Sequence, residues 1–452
     1  MQRLFFNAAL LPGGWAGNVA VEIRDGDIVA VQADTAPAGA TPAGIALPGL
    51  ASLHSHTFQR GMAGLGETRG PTSDSFWSWR QVMYRFLGAL TPEDVEAIAA
   101  QAFMEMLEGG FTAVGEFHYL HHAIGGAAYA NPAEHAERIA AAAETTGIGL
   151  TLLPVFYAHG GFGAQPPNEG QRRFTNDLDG FARLFDGSRR AIARLPDANI
   201  GIAPHSLRAV TPDQLATLLA AHPSGPVHIH IAEQMREVED CIAWSGRRPV
   251  EWLYDHVDVD ARWCLIHATH MTGAEGRMVA GSGAVAGLCP ITEANLGDGI
   301  FDAPTMLEAG GAFGVGTDSN VEITASGELR MLEYSQRLGL RARNVLATRE
   351  GESTGAALYR GALAGGARAL GRRIGGIAVG QRADFVVLDA AHPDLAHGVD
   401  DRWLDSYIFA AGSRVIDAVY VGGIRQVEAG RHVARQAIVA RYGKTMARLA
   451  GL

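Results

Sequence analysis

Two histidines, His54 and His56, stand at the end of a short apolar run with one serine between them. Successive side chains of a β-strand point to opposite faces, so residues two apart share a face and both imidazoles can approach one point. Imidazole nitrogens are common ligands of Zn²⁺ and related divalent ions. The pair therefore indicates a metal site, although an isolated pair of this kind also arises by chance or on a surface.

Further ligand-type side chains accompany three later apolar runs. They are His228, His230 and Glu233 in the first of these runs, His267 and His270 in the second, and Asp318 at the end of the third. Imidazoles together with carboxylates can hold a divalent ion and move protons for a water molecule that the ion activates. The combined set favours a metal-dependent hydrolytic site over the chance interpretation of the first pair.

The elements that must position these residues follow a repeating pattern of an apolar run and then a helical segment. This alternation is typical of βα units with a parallel sheet, and eight units predict a (β/α)8 barrel. The eight runs are 49–56, 110–118, 149–156, 199–205, 226–233, 263–270, 283–290 and 311–318. Since the active site of such a barrel lies at the C-terminal ends of its strands, we expect the ligand-type residues to meet there.

The two ends of the chain have a different pattern. Alternating apolar residues flank Asp25-Gly26 near the start, and residues 383–389 and 418–430 predict a strand and a hairpin near the end. Between them, Thr91-Pro92 and Thr211-Pro212 each predict a helix start with proline in the first turn. We predict a catalytic barrel over 48–375 and a small β domain built from 1–47 and 376–452.

Composition excludes several other classes. The 452-residue chain carries a formal net charge of −11 without basic runs, so it lacks the cationic surface that nucleic acid binding needs. No run approaches the length of a membrane span, and the first residues lack a secretory pattern, so we expect a cytoplasmic protein. The three cysteines, which lack pairing and metal-site spacing, are expected to be buried.

Several motifs together resemble the amidohydrolase superfamily. They are PGLASLHSH at 48–56, HIHIAEQ at 228–234, HATH at 267–270, GTDSN at 316–320 and GGIAVGQRADFVVLD at 375–389. The resemblance covers essentially the whole chain and implies that the terminal domain is a β-sandwich. It also implies metal ligands at His54, His56, His230 and Asp318, with His267 and Glu233 beside the bound water.

The lysine count separates two branches of this superfamily. The two-metal branch bridges its ions with a carbamylated lysine, whereas Lys444 is the only lysine in this chain. The spacing of His230 and Glu233 instead resembles the one-metal deaminases. The resemblance therefore implies one divalent ion, for which we expect Zn²⁺ while iron remains open. Asp318 would accept a proton from water, Glu233 would protonate an imine-type nitrogen, and His267 would hold the attacking oxygen.

The substrate is indicated by stretches that differ among the deaminases. Residues 57–64, 73–86, 116–122, 204–210 and 289–302 resemble the deiminases that act on N-formimidoyl-L-glutamate. For such a dicarboxylate the resemblance implies binding residues Gln59, Arg80, Tyr119, His205 and Arg208. Structural roles stay open for each of them, such as a helix cap for Arg208. Other enzymes of this architecture, such as a guanine or pterin deaminase, and a catalytically silent scaffold are the alternatives.

Three features remain open at this level. His118, His121 and His122 form a cluster for which we favour loop or supporting roles, because metal ligands are already supplied. Trp77 and Trp79 lie in the long loop expected after the first barrel strand, where they could form a lid or pack beneath a helix. The family resemblance implies a homodimer, and Arg80 could serve its own subunit or a neighbour's.

Overall fold

The computed structural model describes residues 1–70, 74–396 and 398–451. Its strands in chain order are β1 (Gln2–Leu11), β2 (Gly14–Arg24), β3 (Asp27–Gln32), β4 (Pro42–Pro48), β5 (Leu50–Ser55), β6 (Phe111–His118), β7 (Gly149–Phe156), β8 (Asn199–Ile200), β9 (Ala203–Pro204), β10 (Val227–Ile231), β11 (Trp263–His267), β12 (Val285–Leu288), β13 (Ala312–Val315), β14 (Phe385–Leu388), β15 (Ile416–Val421), β16 (Ile424–Glu428) and β17 (Arg431–His432).

The α-helices are α1 (Phe76–Leu87), α2 (Pro92–Glu108), α3 (Glu134–Thr146), α4 (Leu178–Ile192), α5 (Pro212–Ala221), α6 (Met235–Ser245), α7 (Pro249–His256), α8 (Gly273–Ser282), α9 (Pro290–Leu296), α10 (Ala303–Glu308), α11 (Ala325–Leu340), α12 (Thr354–Leu370), α13 (Asp401–Ser406) and α14 (Arg435–Leu449). Short 3₁₀ turns cover Thr57–Met62, Glu169–Gln171 and Gly412–Val415, and a π turn covers Tyr407–Ala411.

The eight predicted strand runs all contribute to a parallel barrel. One sheet has the order β5-β6-β7-β8, and β9 also pairs with β7. The other sheet has the order β10-β11-β12-β13. Isolated bridges close the ring. Two of them, Ile202 with Val227 and Ser206 with His230, lie on one side, and Ser55 with Asp318 lies on the other. The fourth run is divided into β8 and β9, so it is less regular than the uniform strand that the apolar pattern predicted.

The terminal segments form one eight-stranded sheet in the order β17-β16-β15-β14-β4-β1-β2-β3. The predicted hairpin at Asp25-Gly26 joins β2 to β3, and the one near the end joins β15 to β16. Phe6, Val21 and Phe385 belong to a separate apolar cluster that this sheet buries. The predicted fold class is confirmed, whereas the domain boundaries at 47/48 and 375/376 stay a prediction.

Local sequence signals account for the helix starts. Thr91 and Thr211 cap α2 and α5 with Pro92 and Pro212 in the first turn, as predicted. The segment expected as a loop after β5 instead contains α1, which Ser75 caps and which buries Met83, Phe86 and Leu87. These apolar residues recur at helical spacing and supply the buried face that a helix needs.

Two further expectations concern the chain as a whole. Cys241, Cys264 and Cys289 are free and buried, as predicted. Among the described residues, no helix combines the length and the apolar character that crossing a membrane requires.

Candidate metal and active site

The four predicted metal ligands lie close together at the C-terminal ends of their strands. His54 and His56 come from the end of β5, His230 comes from β10, and Asp318 follows β13. The Nε2 atoms of His54 and His230 lie 3.1 Å apart. The Oδ1 atom of Asp318 lies 3.5 Å from Nε2 of His54 and 3.3 Å from Nε2 of His56. All four side chains are buried.

Hydrogen bonds to the backbone orient two of the imidazoles. The Nδ1 atom of His56 lies 2.8 Å from the carbonyl oxygen of Phe117, and that of His230 lies 3.0 Å from the carbonyl oxygen of His205. Donation from Nδ1 leaves the lone pair on Nε2 directed toward the centre of the site, as a metal ligand requires. Burial lowers the pKa of His54 to about 3 and lowers the pKa values of His56 and His230. Three neutral imidazoles and one carboxylate therefore fit a divalent ion.

The backbone of Asp318 is held by a parallel bridge between the first and last barrel strands. The backbone N–H of Asp318 donates to the carbonyl of His54 at 3.0 Å, and that of His56 donates to the carbonyl of Asp318 at 2.9 Å. The Asn320 side chain donates to the hydroxyl of Ser55 and to the carbonyl of His56, both at 3.2 Å. Although burial raises the pKa of Asp318, the contacts with His54, His56 and His267 hold it below its usual range.

Glu233 and His267 lie on the far side of Asp318 from the first histidine pair. The Nε2 atom of His267 is 3.8 Å from a carboxylate oxygen of each of Glu233 and Asp318. Its Nδ1 atom lies 3.3 Å from Oε1 of Glu293. Burial lowers the pKa of His267, but Glu233, Glu293 and Asp318 outweigh this effect and raise it to about 10. Burial raises the pKa of Glu233 to about 7, against the opposing charges of His267 and Arg208.

The predicted substrate residues line one cavity with these groups. Its wall includes Gln59, Arg80, Tyr119, His205 and Arg208 together with Glu233, His267 and Asp318. The Gln59 amide donates to the Tyr119 hydroxyl at 3.0 Å. The Arg80 and Arg208 guanidinium groups both lie over the Trp77 ring, at 5.7 Å and 6.0 Å from its centroid. Among the described residues, neither guanidinium has a carboxylate within 4.0 Å.

Helix α1 forms one wall of this cavity. Trp79, Arg80, Met83 and Tyr84 line it, whereas Trp77 lies beneath the two guanidinium groups. Arg80 is therefore on a helix and not on the extended loop that we expected. Arg80 lines the cavity of its own chain.

The other histidines lie elsewhere. The His118 ring lies near the rings of His121 and His135. The Nε2 atom of His121 lies 2.9 Å from the carbonyl oxygen of Val155. His122 is 2.8 Å from the carbonyl of Thr175. These histidines do not line the cavity, which agrees with the supporting roles that we favoured. His270 is also outside the cavity wall, although its carbonyl accepts from Arg248.

Sequence reasoning did not single out four buried acidic residues around the site for a role. Glu116 accepts from the backbone and hydroxyl of Thr57, at 2.9 Å and 2.7 Å. Glu293 lies beside His267, and Asp298 accepts from the amide of Gln234. Glu237 accepts from the loop that carries Glu233. Only Glu116 lies near a strand end, whereas Glu237 and Glu293 lie within the helices that follow β10 and β12 and Asp298 lies beyond α9. Their partners are distant in sequence or are backbone groups, so the strand-end signal did not reach them.

Comparison with known proteins identifies the family. The sequence model of the amidohydrolase family matches residues 45–425. The chain belongs to the amidohydrolase family. The N-terminal domain model of the formimidoylglutamate deiminase HutF matches residues 1–42 of this amidohydrolase.

Similar proteins cover this amidohydrolase over almost its full length. It is 53% identical to a formimidoylglutamate deiminase of Pseudomonas aeruginosa over 96% of this chain and 97% of that protein. It is 54% identical to an amidohydrolase of Brucella melitensis whose crystal structure matches with a TM-score of 0.96, covering 100% of both chains. An adenosine deaminase from Xanthomonas campestris, solved with bound zinc, is 25% identical, with a TM-score of 0.81 and coverage of 100% and 98%.

Proposed function

We infer that this amidohydrolase catalyses the hydrolytic deimination of N-formimidoyl-L-glutamate to N-formyl-L-glutamate and ammonia, a step of histidine degradation. The observation that carries the inference is the 53% identity to the Pseudomonas aeruginosa deiminase over 96% of the chain. The N-terminal match to the same deiminase family supports it. Two cavity arginines, Arg80 and Arg208, have no carboxylate partner in the part of the chain that the structure describes, which suits a substrate with two carboxylates.

We propose that His54, His56, His230 and Asp318 hold one divalent ion, and that this ion is zinc. The three imidazole nitrogens and the carboxylate oxygen are the donor types that zinc takes in catalytic sites. The zinc bound to the structurally similar Xanthomonas campestris deaminase supports the choice of metal. An ion held there would supply Lewis-acid activation of water, lowering its pKa to about 7.

The remaining steps are proton transfers by the chain's own residues. Asp318 accepts a proton from the attacking water, and His267, as an imidazolium, holds the oxygen by donating from Nε2. Glu233, whose raised pKa keeps part of it protonated near neutral pH, gives a proton to the imine nitrogen of the substrate. The proton held by Asp318 then passes to that nitrogen, and the proton of the added hydroxyl returns to Glu233 as the C–N bond breaks and ammonia leaves. Water oxygen remains on the formyl carbon, so the atoms balance.

Substrate binding is assigned to the cationic side of the cavity. A chain of net charge −11 repels a dianion at long range, so local donors must hold the two carboxylates. We propose that Arg208 and Arg80 supply charged contacts and that Gln59, Tyr119 and His205 supply neutral ones. Burial keeps the pKa of His205 well below its ordinary value, so its imidazole is uncharged.

We further propose that the protein acts in the cytoplasm as a homodimer. The similarity to a metabolic enzyme over 96% of the chain supports the first statement. The family resemblance supports the second, which sedimentation equilibrium tests. A monomer across micromolar concentrations would contradict the second.

The reaction is tested by the products that form. A formimidoyl group has two C–N bonds at its carbon, and the proposed route breaks the one to the terminal nitrogen. We expect N-formyl-L-glutamate and ammonia in equal amounts. NMR would measure the first product, and an ammonia assay would measure the second. Formamide and glutamate would show that the other C–N bond breaks and would contradict the proposal.

A further inference from the structure

The loop that carries Glu233 is attached to a second glutamate four residues later. Glu237 lies in the first turn of α6 and is 1% exposed. Its Oε1 atom accepts from the backbone N–H of Ala232 at 3.3 Å, and its Oε2 atom accepts from the backbone N–H of Glu233 at 3.2 Å. One carboxylate therefore holds two consecutive peptide groups immediately before the helix.

These peptide groups have an unusual conformation. The φ angle of Ala232 is +51°, in the left-handed region that residues with a Cβ atom rarely adopt. Such a conformation persists when neighbouring contacts fix it. The carboxylate of Glu237 supplies two of those contacts, and on the other side of the loop Gln234 donates to the buried carboxyl of Asp298.

Glu237 itself does not line the cavity. It therefore contacts the loop that carries Glu233 without touching the reacting atoms.

We propose that Glu237 is a positioning residue, whose two backbone hydrogen bonds fix the Ala232-Glu233 turn so that the Glu233 carboxyl stays within reach of the substrate nitrogen and of His267. The proposal rests on the proton-transfer role inferred for Glu233. A shift of about an ångström in a proton-transfer group lowers turnover strongly while leaving the substrate contacts in place.

The alternative is that Glu237 only stabilises the start of α6. A matched control exists on the next helix, where Glu251 accepts from the backbone N–H of Arg248 at 3.2 Å in the first turn of α7. Glu251→Gln removes an equivalent charged acceptor from a turn that carries no site residue. It should lower thermal stability slightly and leave turnover unchanged.

Two variants test the proposal in the metal-loaded enzyme. Glu237→Gln keeps the length of the side chain but loses one acceptor, and Glu237→Asp keeps the charge but is one methylene short. We expect each to lower kcat by about 10-fold or more, while KM and the inhibition constant of N-formyl-L-glutamate change by less than about 3-fold. Metal content should stay at the wild-type value.

Each outcome has one interpretation. If either variant folds, binds metal and retains wild-type kcat, the positioning role is wrong. If KM, product binding and kcat all worsen together, or if Glu251→Gln reproduces the loss, Glu237 has only a structural role and the proposal fails. If the wild-type enzyme itself does not turn over N-formimidoyl-L-glutamate, the inferred function fails, which is distinguishable because no variant is involved.

Discussion

The site contains two kinds of residues. Some are held in one orientation and stay neutral, and others must gain and lose a proton. His56 and His230 are fixed by backbone carbonyls and remain neutral, which suits ligands. Glu233 is buried without a hydrogen bond to its carboxylate among the described residues, and its raised pKa suits a group that exchanges protons. Buried side chains at the barrel mouth can therefore serve as neutral metal ligands or as proton-transfer groups, depending on the groups that contact them.

Replacing Glu233 with glutamine tests its proton-transfer role. Glutamine keeps the shape of the side chain but cannot give or take a proton, so kcat should fall by at least about 10²-fold. Metal content, measured by elemental analysis, should be unchanged because Glu233 is not among the proposed ligands. Near-normal turnover would remove Glu233 from the mechanism.

Replacing Arg208 with alanine tests carboxylate recognition. Loss of a charge-assisted hydrogen bond of about 1.5–3 kcal/mol should lower kcat/KM by roughly 10-fold or more. The exposed Arg183 on α4 offers a control, since Arg183→Ala removes the same charge away from the cavity. Equal kcat/KM for Arg208→Ala and the wild type, measured by initial rates, would reject the binding role.

The residues that sequence reasoning found and missed differ in the kind of partner they have. His54, His56, His230, His267 and Asp318 could be found because each stands at the end of an apolar run, where a barrel gathers its site. Glu237 could not be assigned a role, because its partners are backbone N–H groups whose direction depends on the left-handed turn at Ala232. Glu293 lies in a recognisable motif, but its contact with His267 depends on the position of α9.

Among the elements, α12 is the one that most directly supports barrel closure. It packs across the seam between the last strand, β13, and the first, β5. Glycines on the buried face permit this close approach, with Gly365 against the backbone of Phe313 and Gly366 against Ala51. Toward the C-terminal ends of the strands, the same seam includes the bridge between Ser55 and Asp318. Helix α12 therefore helps to set the relative position of the proposed ligands.

Substitution of Gly365 tests this packing. A Cβ atom there would overlap the carbonyl oxygen of Phe313, so Gly365→Ala should destabilise the fold by about 1–3 kcal/mol or more and lower Tm. The control is Gly276→Ala in α8, where a Cβ atom would meet nothing within 4 Å and alanine favours the helix. Calorimetry should therefore give a lower Tm for the first variant only. An unchanged Tm for Gly365→Ala would contradict the packing argument.

Most helices and strands were predictable, because the spacing of apolar residues and the helix-start signals indicate the same elements along the chain. Thr91-Pro92 and Thr211-Pro212 start helices where expected. Helix α1 was missed because its surroundings suggested a loop, and its buried face of Met83, Phe86 and Leu87 is short. The division of the fourth strand was invisible, because the apolar pattern continues through Gly201. The pairing with β7 is interrupted there, since β8 pairs with Thr151 and Leu152 and β9 pairs with Val155 and Phe156.

At the scale of the whole molecule, the distribution of charge explains how an acidic chain can accept an acidic substrate. The net charge is −11, yet Arg80 and Arg208 face one cavity without carboxylate partners among the described residues. The barrel and the terminal sheet are also tied by charge, since Arg382 contacts both Asp27 and Asp197 at 3.1 Å and 3.4 Å. Ion pairs thus serve structure outside the site, while inside it we propose that the carboxylates of the substrate pair with the two arginines.

The measurement that tests the central claim most directly is ammonia release by the purified, zinc-loaded protein. N-formimidoyl-L-glutamate, N-formimidoyl-L-aspartate and guanine are offered side by side, and metal content is determined on the same sample. We predict preferred turnover of the glutamate derivative with about one metal ion per chain. Turnover of guanine alone, or of none of the three while metal is bound, would contradict the assigned substrate.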